Sequence, residues 1–470
     1  MSSSPRIAVI GLDCAEASLV FDELRDDLPN LNRLMERGSY GPLRSCHPPI
    51  TVPAWACMTS GYDAGQLGIY GFRNRRGWDY EPLSLAFSSQ VRKPRLWDHF
   101  SAAGRCSICL GVPQTFPIVQ PPRGVTVASF LTPDKSMPWT HPREVAAEID
   151  QAAEGDYVID VRDFRTCDKQ RLLADIYTMT RRRFLAAKHL VQSKPWDLFF
   201  MVEMGVDRIH HGFWHCCDPT HPRFPGENNP YRWVLRDYYR EVDRLVGDLV
   251  DAIGDDALLL VVSDHGAQPM QGGIAVNEWL IKQGYLVLKE YPDRETPPDK
   301  LKIDWSKTRA WSEGGYYARI FLNLKGREPQ GVIEPAEYER WRDRLIEETQ
   351  ALLGPNGEDL GTLVCRPQDL FATCEGYPPD LFCYWGRMRW RSVGSVGSGR
   401  IYIEGNDTGP DEANHDWSGI FISRTPLADQ PGRVDGLELL DVGVSLLRHA
   451  GLQVPADCAG QPRIVWDQRG

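Results

Sequence analysis

No apolar run in this chain of 470 residues approaches the roughly 18 residues that a membrane helix requires. The opening segment Met1-Ser2-Ser3-Ser4-Pro5-Arg6 leaves no room for the apolar centre of a secretion signal. A basic excess is missing too: 53 Lys and Arg stand against 64 Asp and Glu, a net charge of −11. Polyanion binding needs a strongly basic face, so nucleic-acid polymers are excluded as the main ligand. There is no internal repeat and no low-complexity tract. Cys106 and Cys109 form a C-x-x-C with no second pair to complete a metal site, so the twelve cysteines read as free thiols in a reducing compartment. These absences predict a soluble, cytoplasmic protein that acts on a small, locally recognised anion.

What is present is an alternation of strand-like apolar runs with amphipathic stretches, the pattern of a mostly parallel α/β sheet flanked by helices. Helices are predicted over Ala15 to Arg37, Pro142 to Ala153, Asp168 to Val191, Pro230 to Ile253, Pro335 to Leu353 and Gly436 to His449. The length exceeds what one simple core needs, so inserted cap segments are expected on the catalytic core. Composition shifts to short strands between Pro- and charge-rich stretches over residues 285–400. That span is read as a cap or substrate segment inserted into a core made of residues 1–284 and 401–470. Within it, Lys325 and the turn Gly326-Arg327-Glu328-Pro329 read as a solvated loop.

Four apolar runs have metal-competent residues at one end. Asp13 ends Ile7-Ala8-Val9-Ile10-Gly11-Leu12, and Asp207 and His211 follow Leu198 to Val202. Asp264-His265 follow Ala257 to Val262, whereas His415 precedes Gly419 to Ile422 and is expected to arrive on a loop. Ligands of open α/β sheets bind at the carboxyl ends of strands, so the first three sets converge in one crevice. Carboxylate oxygen beside imidazole nitrogen suits zinc or manganese. Asp207 and His211 are four apart and share one helix face. Pro53 and Gly61 bracket a short helix that begins at Thr51. A hydroxyl there faces unpaired N–H groups and the positive end of the helix dipole, which makes Thr51 the candidate nucleophile.

The ordered set Asp13, Thr51, Asp207-x3-His211, Asp264-His265 and His415 resembles the alkaline phosphatase superfamily. The similarity is to its type I phosphodiesterase/nucleotide pyrophosphatase branch and the related phosphohydrolase and phosphomutase group. It is carried by Ile7 to Asp13, Pro48 to Phe72, Met204 to Trp214 and Val261 to Gly266, and extends over most of the chain. The resemblance implies an alkaline-phosphatase-like core holding two divalent ions, zinc or manganese. Asp13, Thr51, Asp264 and His265 would hold one, and Asp207, His211 and His415 the other. His210 and His215 stay open between supporting, packing and substrate roles. Two positions depart from the branch. Phe72 stands where its phosphoryl-binding Asn is usual, with Arg73, Asn74, Arg75 and Arg76 directly after, and Leu67 replaces a common His. Thr51 and Trp55 exclude the sulfatase signature, which needs Cys or Ser and then Arg at those places.

The implied activity is hydrolysis of a small phosphodiester or pyrophosphate, nucleotide-like, through a phosphothreonine on Thr51. The phosphoryl oxygens would be bound by Arg73, Asn74 or Arg75, because a guanidinium fork matches phosphate geometry. Phe72, Trp55 and Trp78 would offer an apolar surface to the second substituent. The alternatives are a phosphomonoesterase or phosphomutase on the same metal site, and a binding protein that keeps the fold without the chemistry.

Overall fold

The structure is a computed structural model and describes residues 5–428 and 430–467. The leader reading on residues 1–4 therefore lies outside the described residues. At its centre is the strand Arg6–Leu12, whose side chains from Ile7 to Leu12 are fully buried. Such a run suits a strand covered on both faces, where each large aliphatic side chain contributes about 1.5–3 kcal/mol of burial free energy. It pairs in parallel with Leu198–Glu203 on one side and Ala257–Val262 on the other. Register places Leu12 opposite Glu203 and Gly11 opposite Val262, so three strands end at one level. This alignment puts Asp13, Asp207 and Asp264 on one edge.

Among the described residues the sheet has ten strands, and it continues outward through Ser107–Leu110 and Gly124–Val127 on one side. On the other it runs through Ser418–Ser423 and Ser39–Arg44, where the pairing turns antiparallel. The helices Lys169–Ser193, Gly205–Cys217 and Val234–Ile253 pack on one another, and Thr51–Ser60 packs against Leu439–His449. Gly11 is required where it stands. A Cβ there would lie 2.5 Å from Trp55 Cη2, so a larger residue would force the helix Thr51–Ser60 off the sheet.

The single helix expected over Ala15 to Arg37 is three pieces: a π turn at Leu19–Glu23, a 3-10 turn at Arg25–Asp27 and a helix at Pro29–Arg37. Pro29 lacks the N–H a continuous helix needs and pushes Leu28 out of the helical region, to φ −120° and ψ 65°. Elsewhere the boundaries moved by a few residues. Asp168 caps Lys169–Ser193 through the Arg171 amide, and the helix expected from Pro230 begins at Val234.

A second apolar cluster runs from Ile274 to Trp385. It surrounds a four-stranded antiparallel sheet of Ala310–Glu313, Ala318–Leu322, Leu381–Tyr384 and Leu363–Cys365. A hairpin turn in it, Gly314-Gly315, delivers Tyr316 toward the strand ends of the main sheet. Among the described residues no helix is long and apolar enough to cross a membrane.

Candidate active site

Asp13 follows directly on its strand, and its amide donates to Glu203 O at 2.9 Å, which fixes it against the neighbouring strand end. Its Oδ2 accepts Trp55 Nε1 at 2.6 Å, leaving Oδ1 directed at the crevice. Asp207 lies in the first turn of Gly205–Cys217, and the i,i+4 spacing brings its Oδ1 to 3.2 Å from His211 Nε2. Arg208 holds the other oxygen at 2.5 Å, and is itself clamped on Asp160 at 3.1 and 2.7 Å. Asp264 and His265 follow Ala257–Val262, with His265 Nε2 3.2 Å from Asp264 Oδ2 and 3.7 Å from Asp13 Oδ1.

His415 is not on a loop, contrary to the sequence expectation. It sits within the short strand Ala413–Asp416, which pairs antiparallel with Gly266–Pro269 and sets Ala267 opposite His415. The ladder therefore carries His415 in beside His265, on which it stacks at 3.8 Å. Its Nε2 lies 3.2 Å from His211 Nε2 and 3.6 Å from Asp207 Oδ1.

Thr51 is the first residue of Thr51–Ser60, a helix closed by Gly61 at φ 76°. No side chain caps that helix, so its first amides stay available to an anion. Thr51 Oγ1 is 3.3 Å from His265 Nε2 and 3.5 Å from Asp13 Oδ1, and the residue is 2% exposed.

The donors form two separate sets, Asp13 with Asp264 and His265, and Asp207 with His211 and His415, and a third group of Cys14, His265 and His415 bridges them, each within 4.8 Å. Such a group is expensive without cations. Burial, and then the neighbouring carboxylates, hold Asp13 and Asp264 well above the usual carboxylate range. Burial also raises Asp207, but His211 and Arg208 outweigh it and hold that carboxylate ionised. Burial keeps His265 neutral and lowers His415 to about 4, so both imidazoles are available as ligands. Asp207 Oδ1 and Asp264 Oδ2, the oxygens that face the imidazoles, have no hydrogen-bond partner. Orphaned buried oxygens beside neutral ring nitrogens are what a divalent ion would satisfy, and this mixed oxygen and nitrogen donor set fits zinc or manganese.

Several neighbours were not legible in the sequence. His211 Nδ1 lies 2.6 Å from Asp411 Oδ1, while the other oxygen of Asp411 meets Arg165 Nε at 3.0 Å and Arg391 at 3.1 Å. Tyr316 stacks on His415 at 3.8 Å, and Arg391 lies 3.9 Å from the same ring. Asp411 precedes His415 by four residues, a hint without specificity. Tyr316 and Arg391 lie far from any recognisable motif.

The residues after Phe72 are placed differently from the site core. Arg73 is exposed, and its carbonyl accepts the Arg319 guanidinium. Asn74 shapes the turn, accepting Tyr70 N at 2.7 Å and donating to Gly71 O at 3.0 Å. Arg75 is buried, donating to Glu328 at 3.2 Å and to the carbonyls of Gly77 and Asp79. Asn74 and Arg75 thus have turn-forming and ion-pairing partners in place of open donors. The supposed solvated turn is part of the same network: Glu328 is buried, and Arg327 grips Asp380 through two bonds of 2.8 Å. Trp55 is fully buried and offers no substrate surface. His210 pairs with Tyr239 at 3.2 Å, and His215 stands 3.7 Å from Glu412. All twelve cysteines are free.

A mostly parallel sheet with two acidic-imidazole sets at its strand ends defines an alkaline-phosphatase-like phosphoric ester hydrolase. The chain belongs to the type I phosphodiesterase/nucleotide pyrophosphatase family, whose sequence model matches residues 7–411. Human ectonucleotide pyrophosphatase/phosphodiesterase 5 has the same fold, at 13% identity over 96% of both chains and a TM-score of 0.54. Phosphonoacetate hydrolase from Sinorhizobium meliloti, in complex with phosphonoformate, matches at 18% identity over 95% of this chain and 96% of that one, with a TM-score of 0.59. A stretch of 92 residues, 19% of this chain, is 26% identical to GPI ethanolamine phosphate transferase 3 of Saccharomyces cerevisiae. That stretch spans 8% of the transferase's length.

Proposed function

We propose that this enzyme hydrolyses a small, nucleotide-like phosphodiester or pyrophosphate through a phosphothreonine on Thr51. The observation that carries the reading is the position of Thr51 Oγ1, within 3.5 Å of both Asp13 Oδ1 and His265 Nε2 at an uncapped helix start. Two divalent ions, zinc or manganese, would lower the pKa of the Thr51 hydroxyl and neutralise charge on the phosphoryl and leaving oxygens. Asp13, Thr51, Asp264 and His265 would hold one, and Asp207, His211 and His415 the other.

Thr51 Oγ1 releases its proton to solvent as it attacks phosphorus in line, and the new P–O bond forms as the leaving oxygen departs on the far side with its electron pair and is protonated by water. Water then attacks the phosphothreonine, losing a proton as its oxygen bonds to phosphorus, and the Thr51 oxygen leaves with the pair of the broken P–O bond and regains a proton. Asp13 stays oriented by Trp55 throughout, and Asp207 by Arg208. Arg73 is exposed, with no hydrogen bond from its guanidinium among the described residues, and is the member of the basic turn suited to meet the substrate. We read residues 285–400 as the cap segment over this core, since Tyr316 and Arg391 reach the site from it. The free thiols suit a cytoplasmic setting. Solved relatives hold AMP and phosphonoformate, both small phosphorus oxyanions, which supports this substrate class.

The test is a panel of monoester, diester, pyrophosphate and sugar-nucleotide substrates with Zn²⁺ or Mn²⁺ added. Preference for the diester or pyrophosphate in kcat/KM is the expected result. A tenfold preference for monoesters, or an isomerised product without phosphate release, replaces this reading with a phosphatase or a mutase.

A further inference from the structure

Tyr316 carries a hydroxyl that the reaction as described leaves unused. Its Oη lies 3.4 Å from His211 Nε2 and 3.4 Å from Arg165 Nη2. The ring is held on two sides, by His415 at 3.8 Å and by the Arg391 guanidinium at 3.9 Å. Its own backbone is pinned as well: Asn414 Nδ2 donates to Tyr316 O at 3.1 Å, and Gly315 exchanges hydrogen bonds with Ser392. The hydroxyl is therefore aimed before any ligand arrives. Tyr316 is half-buried, whereas the carboxylates and imidazoles of the site are closed to solvent.

Hydrogen-bond direction follows from the neighbours. Arg165 can only donate, so the phenol oxygen accepts from it and the phenol proton points elsewhere. Asp411 accepts the Nδ1–H of His211, so Nε2, with Tyr316 Oη 3.4 Å away, is the nitrogen that a cation would take in place of its proton. Once His211 Nε2 is committed to a cation, the phenol proton needs another oxygen nearby. This region belongs to the Asp207, His211 and His415 set, whereas Thr51 Oγ1 lies against Asp13 and His265.

We propose that Tyr316 is a catalytic residue that donates a hydrogen bond to the leaving-group oxygen, on the side of phosphorus away from Thr51. The inference rests on the Thr51 reading above. The phenol keeps its proton: the Thr51 oxygen forms the new bond, the leaving oxygen takes the pair from the broken P–O bond, and Tyr316 stabilises the charge gathering there. In the second half of the cycle the same donor faces the incoming water. A donor of this kind matters most for a leaving group that carries high charge in the transition state.

The experiment uses Tyr316→Phe, which keeps the stacked ring, and two probes, orthovanadate and inorganic phosphate, titrated into the metal-loaded protein by calorimetry. Vanadate on Thr51 presents an apical oxygen at the leaving-group position, whereas phosphate reports the ground state. Vanadate binding is expected to weaken by at least about tenfold in the variant while phosphate binding changes by less than about threefold, with two metals per chain retained. For turnover, kcat/KM should fall by about a hundredfold with alkyl leaving groups and by only a few-fold with nitrophenyl ones. Equal losses for both leaving groups, unchanged vanadate binding, or loss of one metal ion from the variant would each overturn the proposal. Failure of the wild type itself to bind vanadate, or normal turnover by Thr51→Ala, would instead remove the Thr51 reading, so the two failures are separable.

Discussion

Asp411 Oδ1 stands 2.6 Å from His211 Nδ1 and so decides which nitrogen of that imidazole carries the proton. Asp411 is held ionised: burial acts against it, but His211 and Arg391 bring it well below the usual carboxylate range. A carboxylate in this place orients a metal-bound histidine and raises its basicity. The relationship joins the Asp207, His211 and His415 set to Arg391 and to Arg165, whereas Asp13, Asp264 and His265 have no such support from either.

Asp411→Asn should therefore affect one ion more than the other. Affinity at the His211 set is expected to fall by about 10–100-fold, leaving one tightly held ion per chain after competition with a chelator. Elemental analysis across a chelator series measures this. Two ions retained at wild-type strength would show that Asp411 is only an ion-pair partner of the arginines.

Thr51→Ala removes the proposed nucleophile at little structural cost, since its hydroxyl caps no helix. The variant should fold with an unchanged melting temperature and lose at least about a thousandfold in kcat, as removal of a covalent nucleophile does. Acid-quenched wild type should yield a phosphoryl adduct mapping to Thr51. An adduct on another residue moves the nucleophile there.

The basic turn should divide into two behaviours. Arg75→Ala leaves Glu328, which is fully buried, with Arg327 and the Leu324 amide as partners, and should destabilise the fold by about 3 kcal/mol. Chemical denaturation reads this directly. Arg73→Ala should leave stability unchanged and lower kcat/KM by roughly 2–4 kcal/mol of transition-state stabilisation if its side chain binds a phosphoryl oxygen. Full activity in that variant assigns the turn to the surface.

Chelation should cost stability as well as activity, because Asp13, Asp207 and Asp264 crowd one buried crevice. Ligation stabilises the folded state by RT ln(1 + [L]/Kd), about 2.7 kcal/mol per site at a hundredfold excess over Kd. Stripped protein should melt at lower temperature and recover on addition of Zn²⁺ or Mn²⁺. Activity that survives complete removal of metal would end the two-cation reading.

One acid limb of stability is assignable away from the site. Burial, with help from Arg44, lowers His47 from 6.5 to about 4, and its ring packs at 4.6 Å on Trp417. The unfolded chain binds this proton first, so stability present above pH 6.5 is lost as pH falls toward about 4. His47→Gln should flatten that limb by roughly 1–2 kcal/mol relative to wild type, an amount discounted for partial exposure. An identical pH profile in the variant would place the acid sensitivity on other histidines.

The amino-acid sequence by itself determined the strands and where they stop. Continuous apolar runs such as Ile7 to Leu12 fix buried parallel strands, and residues at their carboxyl ends must meet at one edge. The i,i+4 spacing of Asp207 and His211, and the bracketing of Thr51 by Pro53 and Gly61, are local geometry that any short peptide pattern records. What only the tertiary structure decided lies across long separations. Asp411 reaches His211 over 200 positions, Tyr316 reaches it over 105, and Arg75 finds Glu328 over 253. Such pairs leave no periodic trace, because they depend on how distant segments of the chain pack together and not on the backbone conformation of either partner. His415 shows the same division: its chemistry was readable beside Gly419 to Ile422, but its place came from a two-strand ladder with Gly266–Pro269. Local periodicity sets which elements form, and long-range packing sets which donors remain free to meet a substrate.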